Sequence, residues 1–125
     1  MFKYIISGII GMIVSLACIL PPIIHFVTGP LAPLIGGFVG GLRVKPDKKG
    51  SVIIGLAIGI LLSAVLFSIG MLINSLGVSL PSIISEYASK DIINTSNLLK
   101  ITTLIFIYTS VLGSIGAMLA GKIKK

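Results

Sequence analysis

The sequence predicts an all-α membrane protein of four transmembrane helices, and three observations predict it. Apolar residues make up 55% of the 125-residue chain and charged residues only 10%, far from the balance of a soluble globular domain. The charges are also segregated. No Asp, Glu, Lys or Arg occurs from Tyr4 to Leu42, from Gly50 to Ser85, or from Ile101 to Gly121. An ionised side chain at mid-bilayer costs roughly 2.5–3.5 kcal/mol even on insertion scales, so hydrocarbon selects such stretches. Third, small residues recur at four-residue spacing within them, the pattern that lets helices approach closely in lipid. The length suits one membrane domain, residues 1–125.

A span needs about 20 apolar residues to cross a hydrocarbon core of about 30 Å. The first runs over about 4–26. Pro21-Pro22 lies within it, removing two backbone donors and kinking or ending the regular helix. Lys3 followed by an apolar run resembles a signal sequence, but Ser15 stands three residues before Cys18 where a lipoprotein cleavage site takes a large aliphatic residue. The segment therefore reads as an uncleaved span.

The second span, about 30–44, is short or half-spanning. The breakers Thr28-Gly29-Pro30 predict a sharp turn before it, and the apolar stretch from Pro30 to Leu42 reaches only about 20 Å at 1.5 Å per residue. Charge decides between crossing and re-entry. If it crosses, one side holds Lys3, Arg43, Lys45, Lys48, Lys49, Lys122, Lys124 and Lys125 and the other only Lys90 and Lys100. If it does not, three basic residues at the amino-terminal side face seven. The positive-inside rule favours four spans, multi-pass in the cell membrane, with both termini cytoplasmic.

The third span covers about 51–73 and the fourth about 101–121. Between them, residues 74–100 form a polar outer loop. Within it Pro81-Ser82-Ile83-Ile84-Ser85-Glu86-Tyr87 has the form of a helix start, with Ser82 as N-cap and Glu86 in the first turns. Such a helix would lie on the outer interface; the alternative is an irregular loop. Asn94-Thr95-Ser96 is a glycosylation sequon on the same side.

The four-residue stripes are the most specific pattern. They run through Ser7, Gly11 and Ser15 in the first span and Gly36 and Gly40, beside Gly37 and Gly41, in the second. The third carries Ser51, Gly55, Gly59 and Ser63, and the fourth Thr109, Gly113, Ala117 and Gly121. Each stripe predicts a narrow, glycine-zipper-like groove for close helix packing. Whether the grooves meet within one chain or between chains is open at this level.

Chemistry is scarce. The spans hold no carboxylate, which disfavours proton-coupled transport. His25 and Cys18 are the weak functional candidates: His25 reads as an interfacial side chain near the outer end of the first span, Cys18 as a small apolar packing residue. Two such residues do not hold a metal, and no metal or cofactor is predicted. A lone cysteine also excludes an internal disulfide. Ser63, Ser68, Thr109 and Ser110 are expected to bond to carbonyls of their own helices. The net charge of +7 does not indicate nucleic acid, because the basic residues lie at segment ends with no aromatic platform.

With the Gly-Pro turn, the run Pro33-Leu34-Ile35-Gly36-Gly37-Phe38-Val39-Gly40-Gly41, the basic loop after it and the glycines of the third span, the chain resembles a family of small glycine-rich four-span membrane proteins found in archaea, a domain of unknown function. The likeness covers about 5–70 and the last span. It implies a four-helix fold and contributes no activity. The sequence thus predicts a non-enzymatic structural or accessory subunit, associated with membrane lipids and with itself or a larger membrane complex. The alternatives are a small oligomeric channel or transporter, or a holin-like permeabilising protein.

Overall fold

The computed structural model describes residues 1–20, 25–76 and 95–123. Nearly all of these are helical, in four elements: α1 Phe2–Ile19, α2 His25–Val44, α3 Lys48–Leu76 and α4 Thr95–Ile123. Each is long and apolar enough to cross a membrane, so the fold is an all-α, four-span membrane architecture. The helices alternate in direction. Gly36 and Gly40 of α2 meet Gly11 and Ser7 of α1 in antiparallel order, and α1 runs parallel to α3, as Gly8 opposite Ala57 and Gly11 opposite Ile58 show. Both α1 and α4 pack against α2 and α3, and α2 touches α3 across the short diagonal.

The boundaries of the first two helices differ from those read in the sequence. The first helix ends at Ile19, just before Pro21-Pro22, where the sequence places a kink or an end, but α2 begins at His25, so the segment Thr28-Gly29-Pro30 is helix and not turn. The second helix is accordingly neither short nor half-length: its 20 residues span about 30 Å. Pro30 and Pro33 lie inside it and supply no N–H to the ladder, a loss that membrane helices tolerate because neighbours and side chains re-satisfy the backbone. Three hydroxyls bond carbonyls in and beside α2, none of them the Phe26 or Gly29 carbonyl that lies four residues before each proline. Tyr108 Oη donates to the Pro30 carbonyl at 2.6 Å, Ser15 Oγ to the Ala32 carbonyl at 3.0 Å, and Thr28 Oγ1 to the Cys18 carbonyl at 2.8 Å.

The turn from α2 to α3 is three residues long and specified at each. Lys45 adopts a left-handed conformation with φ 45° and its N–H reaches the Gly41 carbonyl at 3.1 Å, which stops α2 in the manner usual for a glycine. Pro46 cannot continue the helix. Asp47 then caps α3: its Oδ1 accepts the Gly50 N–H at 2.8 Å and its carbonyl accepts the Ser51 N–H at 2.9 Å. An N-cap of this type is worth about 1 kcal/mol.

Helices α3 and α4 run beyond the expected spans, at 29 residues each, or about 44 Å. They are flush with α1 and α2 at the end carrying Lys3 and Lys122 and project past them at the other, where Gly70 packs against Leu98. The candidate interfacial helix and Asn94 lie outside the described residues.

Candidate functional site

The residues singled out by spacing are brought together in the bundle interior. On α2 the two glycine pairs face different partners. Gly36 and Gly40 point to α1, where a methyl group on Gly36 would meet the Gly11 carbonyl and the Ser15 hydroxyl, and one on Gly40 would lie 2.5 Å from the Ser7 carbonyl. Gly37 and Gly41, one residue and hence 100° further round, point to α4. A methyl on Gly37 would meet the Gly113 carbonyl, and one on Gly41 would come within 2.9 Å of Ala117 Cα. A helix with two small-residue faces can therefore sit between two close neighbours.

The α3–α4 interface is built the same way, with hydroxyls added. A methyl on Gly55 would meet Ser114 Oγ and lie 2.5 Å from the Ser110 carbonyl, and one on Gly59 would meet Ser110 Oγ. Gly113 sits between α2 and α3, its added methyl 3.2 Å from Gly55 Cα. At the basic end Gly121 faces the Pro46 carbonyl, 2.6 Å from where a methyl would sit.

A common geometry emerges. At most of these positions the space a Cβ would fill is taken by an oxygen of the next helix, so the glycine Cα–H points at a carbonyl or hydroxyl. Such Cα–H···O contacts contribute perhaps 0.5–1 kcal/mol each and recur between closely packed helices. Together they act against the roughly 1 kcal/mol helix-propensity cost of each glycine in water. Gly8 and Gly116 belong to the same set although the four-residue spacing omits them. Gly8 faces Ala57 and Gly116 the Leu34 carbonyl. Both stand three residues from a stripe member, Gly11 and Gly113, and an i, i+3 search would have included them.

Hydroxyl side chains of α3 and α4 are mostly tied to backbone, Ser68 on an exposed face and Ser63 and Thr109 inside. Ser63 Oγ donates to the Ile60 carbonyl at 3.0 Å, Ser68 to Ala64 at 2.8 Å and Thr109 to Ile105 at 2.8 Å, as the sequence predicts. Ser110 departs from that expectation. Its hydroxyl is buried without a hydrogen-bond partner and faces Gly59, while its carbonyl accepts from Ser114 at 2.8 Å. Ser7 Oγ is likewise buried and unpartnered. The axis is filled by Ile54, Ile58 and Ala117, all fully buried, with Leu62 beside them.

The two weaker candidates stand at helix ends. Cys18 is a half-buried free thiol near the end of α1, and His25 opens α2. Among the described residues no three of His, Cys, Asp and Glu gather as metal ligands. Surface hollows accompany the bundle among the described residues, and three are well formed. An apolar groove of about 360 Å³ lies between α1 and α3 over Ile9, Ala57 and Ile60, and another of about 500 Å³ runs along α4 over Leu104, Tyr108 and Val111. The third, about 180 Å³, is polar-edged and lies at the basic end between the start of α3 and the end of α4. No known protein family, curated protein or solved structure matches the chain.

Proposed function

We propose that the chain is a non-enzymatic structural or accessory subunit of a cell-membrane assembly, its four helices locked by a glycine zipper and both termini on the cytoplasmic side. The observation that carries this reading is where the small residues go. Gly36 with Gly11, Gly37 with Gly113, and Gly55 with Ser114 use their narrow faces within the chain. The outward positions, such as Ile13, Val52, Ile60 and Val111, are large aliphatics. A bundle of this kind is a rigid block with an apolar coat, and a partner meets it through bulky side chains. The filled axis at Ile54 and Ile58 weighs against conduction through a single copy. The cytoplasmic placement of the termini rests on the positive-inside rule, and the likeness of the run Pro33 to Gly41 to the archaeal glycine-rich family agrees with the four-span reading.

The test is mild-detergent purification from native membranes with chemical cross-linking, alongside ion and solute flux into proteoliposomes of the pure chain. Reproducible cross-links to a defined membrane protein, with flux at the level of empty vesicles, are expected. Robust flux overturns the subunit reading in favour of a channel or transporter. A solitary, uncross-linked monomer overturns it as well.

A further inference from the structure

The flush end of the bundle collects the start of α1, the end of α2, the start of α3 and the end of α4. With them come Lys3, Arg43, Lys45, Lys48, Lys49 and Lys122, against one carboxylate among the described residues, Asp47. That carboxylate is engaged by the Gly50 N–H as the α3 cap. Within this basic end the hollow of about 180 Å³ is edged by exposed Lys48 and Lys122 and by Asp47, with Ser51, Met118 and Gly121 in its wall, so two cations face the one capping carboxylate. We propose that this hollow seats the phosphate of an anionic phospholipid headgroup, held between the Lys48 and Lys122 ammonium groups.

Three features support this choice of occupant. The charge is complementary, and a juxtamembrane lysine attracts an anionic leaflet more strongly the closer it lies to the surface. The depth is right: from Ser51 onward α3 has no charged residue through Leu76, and α4 has none from Ile101 to Gly121. The hollow therefore lies where apolar helix gives way to cation, at the level of headgroup phosphates. Its frame is also fixed, because the Pro46 carbonyl packs against Gly121 and clamps the α2–α3 turn to the end of α4. Lysine heads on flexible stems suit a phosphate as point charges. The proposal rests on the membrane fold and is independent of the subunit reading.

The experiment is native mass spectrometry of the full chain in neutral detergent with equimolar phosphatidylglycerol and phosphatidylcholine. One phosphatidylglycerol adduct is expected to dominate. The double variant Lys48→Gln/Lys122→Gln should lose that preference by about thirty-fold, the combined effect expected of two lysines at a membrane surface. Lys45→Gln/Lys49→Gln removes the same charge outside the hollow and should retain it. Equal loss in both variants, or loss in neither, overturns the proposal in favour of diffuse surface attraction. Displacement of the adduct by inorganic phosphate at a concentration equal to the lipid overturns the lipid as source. Far-UV circular dichroism of each variant checks that the helices are intact; if the hollow variant is unfolded, Lys48→Arg/Lys122→Arg must keep the preference for the proposal to stand.

Discussion

Gly11 and Gly36 each occupy the space the other's side chain would need: a methyl on Gly11 would lie 2.7 Å from the Gly36 carbonyl oxygen, and one on Gly36 would meet the Gly11 carbonyl in return. The obstacle is backbone in both directions, so no side-chain rotation relieves it. The α1–α2 spacing is thereby fixed by two residues that contribute no side chain at all.

Substitution at these notches should therefore separate cleanly from substitution elsewhere in the same helix. Gly36→Ala and Gly37→Ala are expected to destabilise the bundle by about 1–3 kcal/mol, the usual range for overpacking. Gly29→Ala has nothing within 4 Å of the new methyl and should be neutral or stabilising by up to about 1 kcal/mol from helix propensity. Unfolding in mixed micelles, followed by circular dichroism, measures all three. Equal destabilisation at Gly29 and Gly36 would sink the notch argument.

The interior serines make a second contrast. Ser15 Oγ is shared between the Gly11 carbonyl at 2.8 Å and the Ala32 carbonyl at 3.0 Å, so Ser15→Ala should cost about 0.5–1.5 kcal/mol. Ser110 Oγ has no such partner. Its burial already carries a desolvation penalty set only against a weak contact to Gly59, and Ser110→Ala should change stability by less than about 0.5 kcal/mol. The same micelle unfolding assay distinguishes them.

At the tight α2–α3 turn, Asp47→Ala removes the cap of α3 and should lose about 0.5–2 kcal/mol, with Asp47→Asn much milder. Lys45→Gly should move in the opposite direction, gaining up to about 1 kcal/mol, because a left-handed residue with a Cβ is strained by about 1–2 kcal/mol and glycine's added unfolded-state entropy offsets part of the relief. Thermal melts of the three variants report the sign directly.

Orientation is read by labelling. In a Cys18→Ala background, Lys48→Cys and Ser89→Cys are expected to react with a membrane-impermeant maleimide from opposite faces of sealed vesicles, Lys48 from the cytoplasmic one. Labelling of both from one face would contradict four crossings.

The long uninterrupted helices were legible because nothing competes with an apolar, charge-free run: the α3 and α4 interiors fall where the sequence puts them. The start of α2 was not, because Gly29-Pro30 is a stop signal by rules drawn from water, where freed carbonyls are hydrated and a helix loses little by ending. In a close-packed bundle the same residues stay helical and hydroxyls such as Tyr108 reach the backbone around them. The stripe residues were legible as a set, but their partners were not. Sequence spacing tells which face of α2 Gly36 and Gly37 occupy, and only the three-dimensional arrangement assigns one to α1 and the other to α4. Gly8 and Gly116 escaped for a simpler reason, a period sought at four and not at three. Asp47 stands directly before an apolar run and carried a readable cap signal that the charge-based reading of its neighbours obscured.

The unequal helix lengths have a consequence for the surrounding bilayer. An 18-residue α1 and a 20-residue α2 match a hydrocarbon thickness of about 30 Å, whereas α3 and α4 have 29 residues each, about 44 Å. The excess is polar. The charge-free run of α4 is Ile101 to Gly121, about 31 Å, and Thr95, Asn97 and Lys100 precede it, while Asn74 and Ser75 stand at the matching end of α3. Lipid of ordinary thickness therefore fits all four helices, and the long pair lifts a polar collar clear of the hydrocarbon on the side away from the basic end.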